Sequence, residues 1–414
     1  MMMARRLVTA VVLIGALSPT AMGDIPAGVP DELSANRLDR AALIAMPSVW
    51  KVDVTAHMRA LRTLSGAVVT LPPAARTVHR EGTAFGVTPE GHLVTAAHVA
   101  EPAAGDLAEI AYLQKLALEG KPHDDAIAER WVKRTGAVPV GLGPLSLVVR
   151  PAAAGAAAAH DHAASPRIVT TDWLRDLTVL RVPGIHDAPS LGLDRGVDAG
   201  TPIATLGFGG ADHFAAPQRG ALVPAVRTGL IGQTGPVEKA PLRILTLITN
   251  EVQHGDSGGP VVDEQGRVRG VVLVRRRDGG GAMTPTEELV RVLDSAGVHA
   301  WEGRTQTLYR GALASMSRYD LAGARRGLRG ALASYPDHGL ATYEMARLDQ
   351  LAHARVRLAG EPWYRGGFTV VGISALVIAI ILGVLLWKAL IRTPGVLGPR
   401  DGTPYDHEDD PHDD

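Results

Sequence analysis

The sequence predicts a mainly β fold, a barrel or sandwich, that passes into helices and ends on one apolar span. Between Ser48 and Val298, short β-type runs alternate with turns rich in Gly, Pro and Asp. After Val298 small and apolar residues recur at helical spacing, and Phe368 to Trp387 is an uncharged stretch of 20 residues. A chain of 414 residues has room for two or three domains, each with its own core. With 46% apolar residues and a net charge of -1, it offers no field for recognising nucleic acid by charge. Cysteine is absent, which excludes disulfides, thiol nucleophiles and cysteine-based metal sites.

At the start of the chain, Arg5 and Arg6 precede "LVTAVVLIGAL", too short to span a bilayer, and "AMG" at 21 to 23 offers small residues before Asp24. This pattern predicts a signal peptide over residues 1–23. The β-rich region, 40–298, contains "SVWKVDV", "GTAFGV", "HLVTAAHV", "LTVLRV", "TPIATLGF", "ILTLIT", "GPVVD" and "RGVVLV" as strand candidates. Two interruptions are expected within it. Residues 101–135 carry helical patterning around Leu107, Ile110, Ile127 and Trp131, and "PAAAGAAAAHDHAAS", 151–165, reads as a low-complexity loop. His160 and His162 in that loop have one aspartate for company and are not expected to hold a metal. "TPTEELVRVLDSAG" predicts a helix capped by Thr284 or Thr286, with acidic residues in its first turn and Gly297 at its end.

In residues 299–360, Ala312, Ala324, Leu328, Ala331 and Pro336 keep the spacing of a tetratricopeptide (TPR-like) repeat, with Tyr319 at the turn; an ordinary helical hairpin reads equally well. A helix over "LATYEMARLDQLAHARV" would cap it. One repeat cannot bury its own face, so it must lean on neighbours or on a protein partner. The apolar stretch, at about 1.5 Å per residue, covers about 30 Å and predicts a transmembrane helix over 366–389. Trp363, Tyr364 and Trp387 fall at its interfaces. Lys388, Arg392 and Arg400, against Arg365 alone on the other side, place the acidic tail 390–414 in the cytoplasm. Residues from Asp24 to about Tyr364 are then outside it, and their chemistry must run without ATP.

The stretch "QHGDSGGPVV", 253–262, packs glycines around Ser257 in a way that core packing does not require. A nucleophilic serine needs a base within hydrogen-bond reach and an acid to orient that base. His98 ends the strand candidate "HLVTAAHVA", where small residues let the chain turn and present an imidazole. Asp176 directly precedes the apolar strand "LTVLRV" and is preferred for that reason over its competitor Asp172, four residues earlier.

The order His98, Asp176, Ser257, carried by "TAAH", "DLTVLRV" and "GDSGGPVV", resembles trypsin-fold serine proteases and, among them, the bacterial HtrA-like (Deg) group. The likeness runs from about Ala45 to Val298 and takes in "DWLRDLTVLRV", "DAGTPIATLGFGG", "VRTGLIG" and "GAMTPTEELVRVL". It implies two six-stranded β-barrels with the site in the cleft between them. Ser257 would then be the nucleophile, His98 the general base and Asp176 its orienting acid, with an oxyanion hole at Gly255, Asp256 and Ser257. The substrate pocket would involve Glu251, Val272 and Val274. A carboxylate at Glu251 suits Lys or Arg, but HtrA-like loops differ there, so a preference for small aliphatic residues is expected.

The chain departs from this group in three ways. The segment between His98 and Asp176 is long and would cover the cleft or dock a partner, no PDZ-like segment follows the protease region, and Asp256 stands where the group commonly has asparagine. With no activation-cleavage motif in view, a local hydrogen bond is expected for the Asp256 carboxylate. The expected function is a membrane-anchored extracytoplasmic serine endopeptidase acting on peptides or proteins in quality control or regulated proteolysis. It would need no metal and no cofactor. Its rivals are a catalytically idle scaffold that recruits partners and an esterase using the same triad.

Overall fold

The computed structural model describes residues 37–152, 163–196, 198–210, 222–237, 240–275 and 280–360. The expected signal peptide, His160 and His162, the apolar span 366–389 and the tail 390–414 lie outside the described residues. Among those described, no helix is long and apolar enough to cross a membrane.

Among the described residues, fifteen strands build three sheets. The first takes β1 (Val49–His57), β4 (Thr77–Gly86), β5 (His92–Ala96), β7 (Ser146–Pro151), β8 (Arg167–Asp172) and β9 (Leu177–Arg181) in the order β7-β1-β4-β5-β9-β8. Its two edges approach each other where Val149 and Ala164 exchange backbone hydrogen bonds of 2.8 and 2.9 Å. Pro151, expected in the low-complexity loop, is therefore the end of a strand. The second sheet is a closed barrel of β10 (Pro202–Gly207), β11 (Ala225–Val237), β12 (Ala240–Ile248), β13 (Pro260–Val262), β14 (Val268–Arg275) and β15 (Gly281–Pro285). The expected pair of six-stranded units is present. Closure leaves the second no edge to aggregate, and Ile203, Ile231, Ile248, Val261 and Val272 fill its interior.

The third sheet, β2 (Ala60–Arg62), β3 (Val68–Thr70) and β6 (Val138–Val140), was not visible in the sequence, because its strands have 3 residues each and carry no usable period. It backs the insertion helix α3 (Ala104–Leu118), which packs in turn on α4 (Asp125–Thr135). Met58, Leu61, Leu71, Leu107, Ala111 and Val132 form a separate small core there, and Tyr112 stacks on Trp131 at 3.9 Å. Asp124 caps α4 by accepting from the Ile127 amide, and Gly136 ends it in the left-handed region. The insertion is thus a folded satellite rather than a loose loop.

Helix α5 (Thr286–Ser295) begins where expected but is not capped by a threonine. Its N-cap is Pro285. Thr284 donates to the Arg175 carbonyl and Thr286 to that of Val268, both at 3.0 Å, so the buried hydroxyls are committed to strand neighbours. Gly297 follows the helix at φ 67°.

Residues after Val298 are helical: α6 (Arg304–Met316), α7 (Leu321–Ser334) and α8 (Gly339–Gly360). Tyr319 sits in the turn between α6 and α7 at φ 58°, and Asp320 caps α7 through the Gly323 amide. The buried face of this pair, Tyr309, Ala312, Leu313, Leu328 and Ala331, belongs to one continuous core with the barrels and with α1 (Arg37–Ala45), an element the sequence reading did not predict. Gln306 donates to the Ile44 carbonyl, and Trp301 and Gly303 bond into the first barrel through Val87 and Ser190. The helices therefore lean on the barrels, and packing is continuous past Val298 as far as Gln350.

His338 is wholly buried against the Tyr309 ring, with Nδ1 accepting from the Ala341 amide, and burial pushes its pKa down to about 3. Its folded value lies below the unfolded one of about 6.5. The stability it contributes is complete above about pH 6.5 and is lost as pH falls towards 3, at up to about 1.4 kcal/mol per unit inside the window. Thermal melts at pH 7 and pH 5 are expected to show a smaller acid loss for His338→Asn than for the parent.

Candidate active site

Strand β5 ends at the small residue Ala96, and the single turn α2 (Ala97–Ala100) that follows turns His98 towards a cleft. The imidazole Nδ1 lies 2.8 Å from Asp176 Oδ2, while Asp176 Oδ1 accepts from the His98 backbone amide at 3.0 Å. One carboxylate thus holds both the ring and the chain that carries it. Asp176 adopts φ 55° in the turn before β9, a left-handed conformation that aspartate tolerates better than most residues and that aims its side chain back at α2. Arg243 reaches from β12 in the second barrel to the same Oδ2 at 3.0 Å. Burial pushes the Asp176 carboxyl up, but the His98 hydrogen bonds, the His98 charge and the Arg243 charge outweigh it and hold the group below the usual carboxylate range. The competitor Asp172 is occupied elsewhere, accepting from the Arg175 amide at 2.9 Å and from its guanidinium at 2.8 Å.

Ser257 lies in the tight turn before β13. Thr83 on β4 pins that turn from the other barrel: its amide donates to the Ser257 carbonyl at 2.9 Å and its hydroxyl to the Gly255 carbonyl at 2.7 Å. The approach is so close that a Cβ on Gly258 would fall 2.1 Å from the Thr83 carbonyl oxygen, and Gly255 holds φ 97°. These two demands explain glycine on either side of Asp256-Ser257.

The expected oxyanion donors need one correction. The Asp256 amide donates to the Gln253 carbonyl at 3.1 Å and is spent in closing the turn. The amides of Gly255 and Ser257 donate to no protein group among the described residues. A second finding concerns the serine itself. Its Oγ donates to the Leu273 carbonyl at 2.8 Å and not to His98. Both side chains line one cavity of about 240 Å³.

The satellite lines this cavity through Glu109 and Ile110 of α3 and Ala128 of α4. Burial, with the charges of Asp106 and Glu129, pushes the Glu109 carboxyl up. Arg80, 3.5 Å from Asp106, stands between α3 and Asp176, and its pKa is lowered by burial against the pull of both carboxylates.

The expected substrate pocket is not assembled from the residues named for it. Glu251 is exposed and accepts from the Gln253 side chain at 3.0 Å, so it forms no buried floor. Val272 is 0% exposed and packs inside the closed barrel. The Val274 side chain lies outside the described residues. Among the described residues no cluster of His, Asp and Glu is arranged for a metal. Thr83, Arg227 and Arg243 were missed altogether; each acts from a strand distant in sequence, and nothing in a linear reading marks one strand threonine or arginine above another.

Residues 82–271 match the family model for the trypsin-like peptidase domain. Serine protease Rv3671c of Mycobacterium tuberculosis strain H37Rv is 30% identical over 154 residues, as is serine protease MT3772 of strain CDC 1551. Each alignment covers 36% of this chain and 36% of the relative, so the chain spans about a third of the length of these curated relatives. Among solved structures, an HtrA-type protease, AlgW with decapeptide, aligns with 62% of this chain and 66% of its own at 18% identity and a TM-score of 0.39.

Proposed function

We propose, on the premise that residues 82–271 are a trypsin-like peptidase domain, that this chain is a serine endopeptidase hydrolysing peptide bonds through an acyl-enzyme. The observation that carries the reading is the carboxylate-anchored imidazole of His98 in the same cavity as Ser257, beside two uncommitted amides. Ser257 turns from the Leu273 carbonyl to His98, gives its proton to the imidazole and attacks the substrate carbonyl. Asp176 holds the ring in one tautomer and stabilises its cation. The Gly255 and Ser257 amides receive the developing oxyanion, each donor being worth about 3 kcal/mol in the transition state. His98 then protonates the leaving amine, and the same steps with water release the acyl group.

The wider setting belongs to the same proposal. Residues 1–23 act as a signal peptide, 366–389 anchor the chain in the membrane with the tail inside, and the enzyme works on misfolded or signalling proteins outside the cytoplasm. Support comes from the Arg-flanked apolar leader and the uncharged span. The helices of 299–360 follow a TPR-like repeat and offer a surface to a protein partner.

A fluorophosphonate probe is expected to label the detergent-solubilised full chain and to leave Ser257→Ala unlabelled. The serine's bond to Leu273 favours one other reading, a latent or idle protease fold that serves as a scaffold. Absence of label on both proteins would favour it. Cleavage of peptides as well as esters by the labelled enzyme excludes a pure esterase.

A further inference from the structure

We infer that Arg227 is a positioning residue, the internal cation that keeps the oxyanion turn in its working shape by holding Asp256. The inference rests on the hydrolytic reading above. Asp256 separates the two residues whose amides are uncommitted, and its side chain is 3% exposed. A charge buried there must be met by hydrogen bonds and an opposite charge, or the turn will rearrange to bring it to water. All of those partners are present. Oδ1 accepts from the Gly209 amide at 2.8 Å, and Oδ2 accepts from the Gln253 amide and from Arg227 Nη1, each at 2.8 Å.

Arg227 is itself fixed. It stands on β11, its carbonyl accepts from the Asn250 side-chain amide at 2.7 Å, and its guanidinium leans on the Gly209 carbonyl. The glycine-rich "GFGG" acquires a purpose from the same contact. A Cβ on Gly209 would lie 2.4 Å from Asp256 Oδ1, and one on Gly207 would lie 2.5 Å from it, so the run leaves the carboxylate its space.

The consequence concerns readiness. Among the described residues, every ligand of the Asp256 carboxylate comes from the second barrel and its loops, between Gly209 and Gln253 in the chain. No amino group freed by cleavage is needed to neutralise it. The Asp256 carboxylate has its counter-charge within the described residues.

The test uses the full chain in detergent, with Arg227→Met, Arg227→Lys, Asp256→Asn and the Arg227→Met/Asp256→Asn pair. Two readouts are taken: kcat and KM on a peptide substrate, and amide hydrogen exchange across residues 253–259. Arg227→Met is expected to lower kcat about 100-fold, the scale of losing one oxyanion donor, with KM little changed. It should also speed exchange in the turn. Arg227→Lys retains most activity, and adding Asp256→Asn to Arg227→Met recovers at least about tenfold, because the unpaired buried charge is gone. Unchanged exchange and kcat in Arg227→Met, or no recovery in the pair, would overturn the inference. Should Arg227→Met fail to fold, the lysine variant and the pair still decide it. If the parent hydrolyses nothing but Arg227→Met still loosens the turn, the enzymatic reading fails and the positioning role stands.

Discussion

Replacing His98 by alanine is expected to lower kcat on a peptide substrate by about 10⁶-fold. A serine hydroxyl of ordinary acidity gives almost no alkoxide at neutral pH, and His98 is the base whose ring is fixed to Asp176 at 2.8 Å beside the cavity that holds Ser257. The two groups act as a unit, so His98→Ala and the His98→Ala/Ser257→Ala pair should show nearly the same residual rate. Single-turnover kinetics on all three proteins check this. A loss of only about tenfold would mean that another group takes the serine proton.

Asp176→Asn is expected to lower kcat by about 10⁴-fold with the cleft intact. An amide in place of the carboxylate can donate to Nδ1, which stabilises the wrong tautomer and leaves the imidazolium without its counter-charge. The substitution also strips Arg243 of the oxygen it reaches at 3.0 Å. Because the Asp176 carboxyl is held below the usual range in the folded protein, its contribution to stability is complete above its unfolded pKa of about 3.9. That contribution is lost as pH falls through the lower folded value. Melting curves between pH 6 and pH 2.5 are therefore expected to lose this acid limb in Asp176→Asn while keeping the His338 dependence at higher pH. Identical acid limbs in both proteins would show that the ion pair with His98 and Arg243 adds nothing to the fold.

Much of this site could be read along the chain because its motifs are local. "TAAH" is a strand running into a turn, and "GDSGGP" is a turn whose glycines stand out in the sequence although the close approach that requires Gly258 comes from Thr83 on a distant strand. Asp176 could be preferred over Asp172 because it abuts the apolar strand; in the structure Asp172 pairs with Arg175 while Asp176 faces the imidazole. Where reading failed, the partner was remote. Glu251 looked like a pocket floor from its distance to Ser257, yet the loop turns it to solvent beside Gln253. Val272 looked like a pocket wall, yet strand alternation sends its side chain into the barrel. The Asp256 amide looked available until the turn closed on Gln253. Thr284 and Thr286 looked like caps, and burial gave their hydroxyls to Arg175 and Val268 instead.

What the sequence alone determined is the set of short-range choices: β-runs and their turns, the order of imidazole, carboxylate and serine, the helical character after Val298, and the presence of a helical insertion. Each follows from periodicity or backbone freedom over a few residues. Tertiary structure alone decided what crosses between elements. It set Thr83 of the first barrel on the serine turn of the second, Arg243 of the second on the aspartate of the first, Arg227 on Asp256, and α6 and α7 against the barrels in a shared core. Pairings of this kind depend on distances through space, which a linear pattern of residue types does not encode.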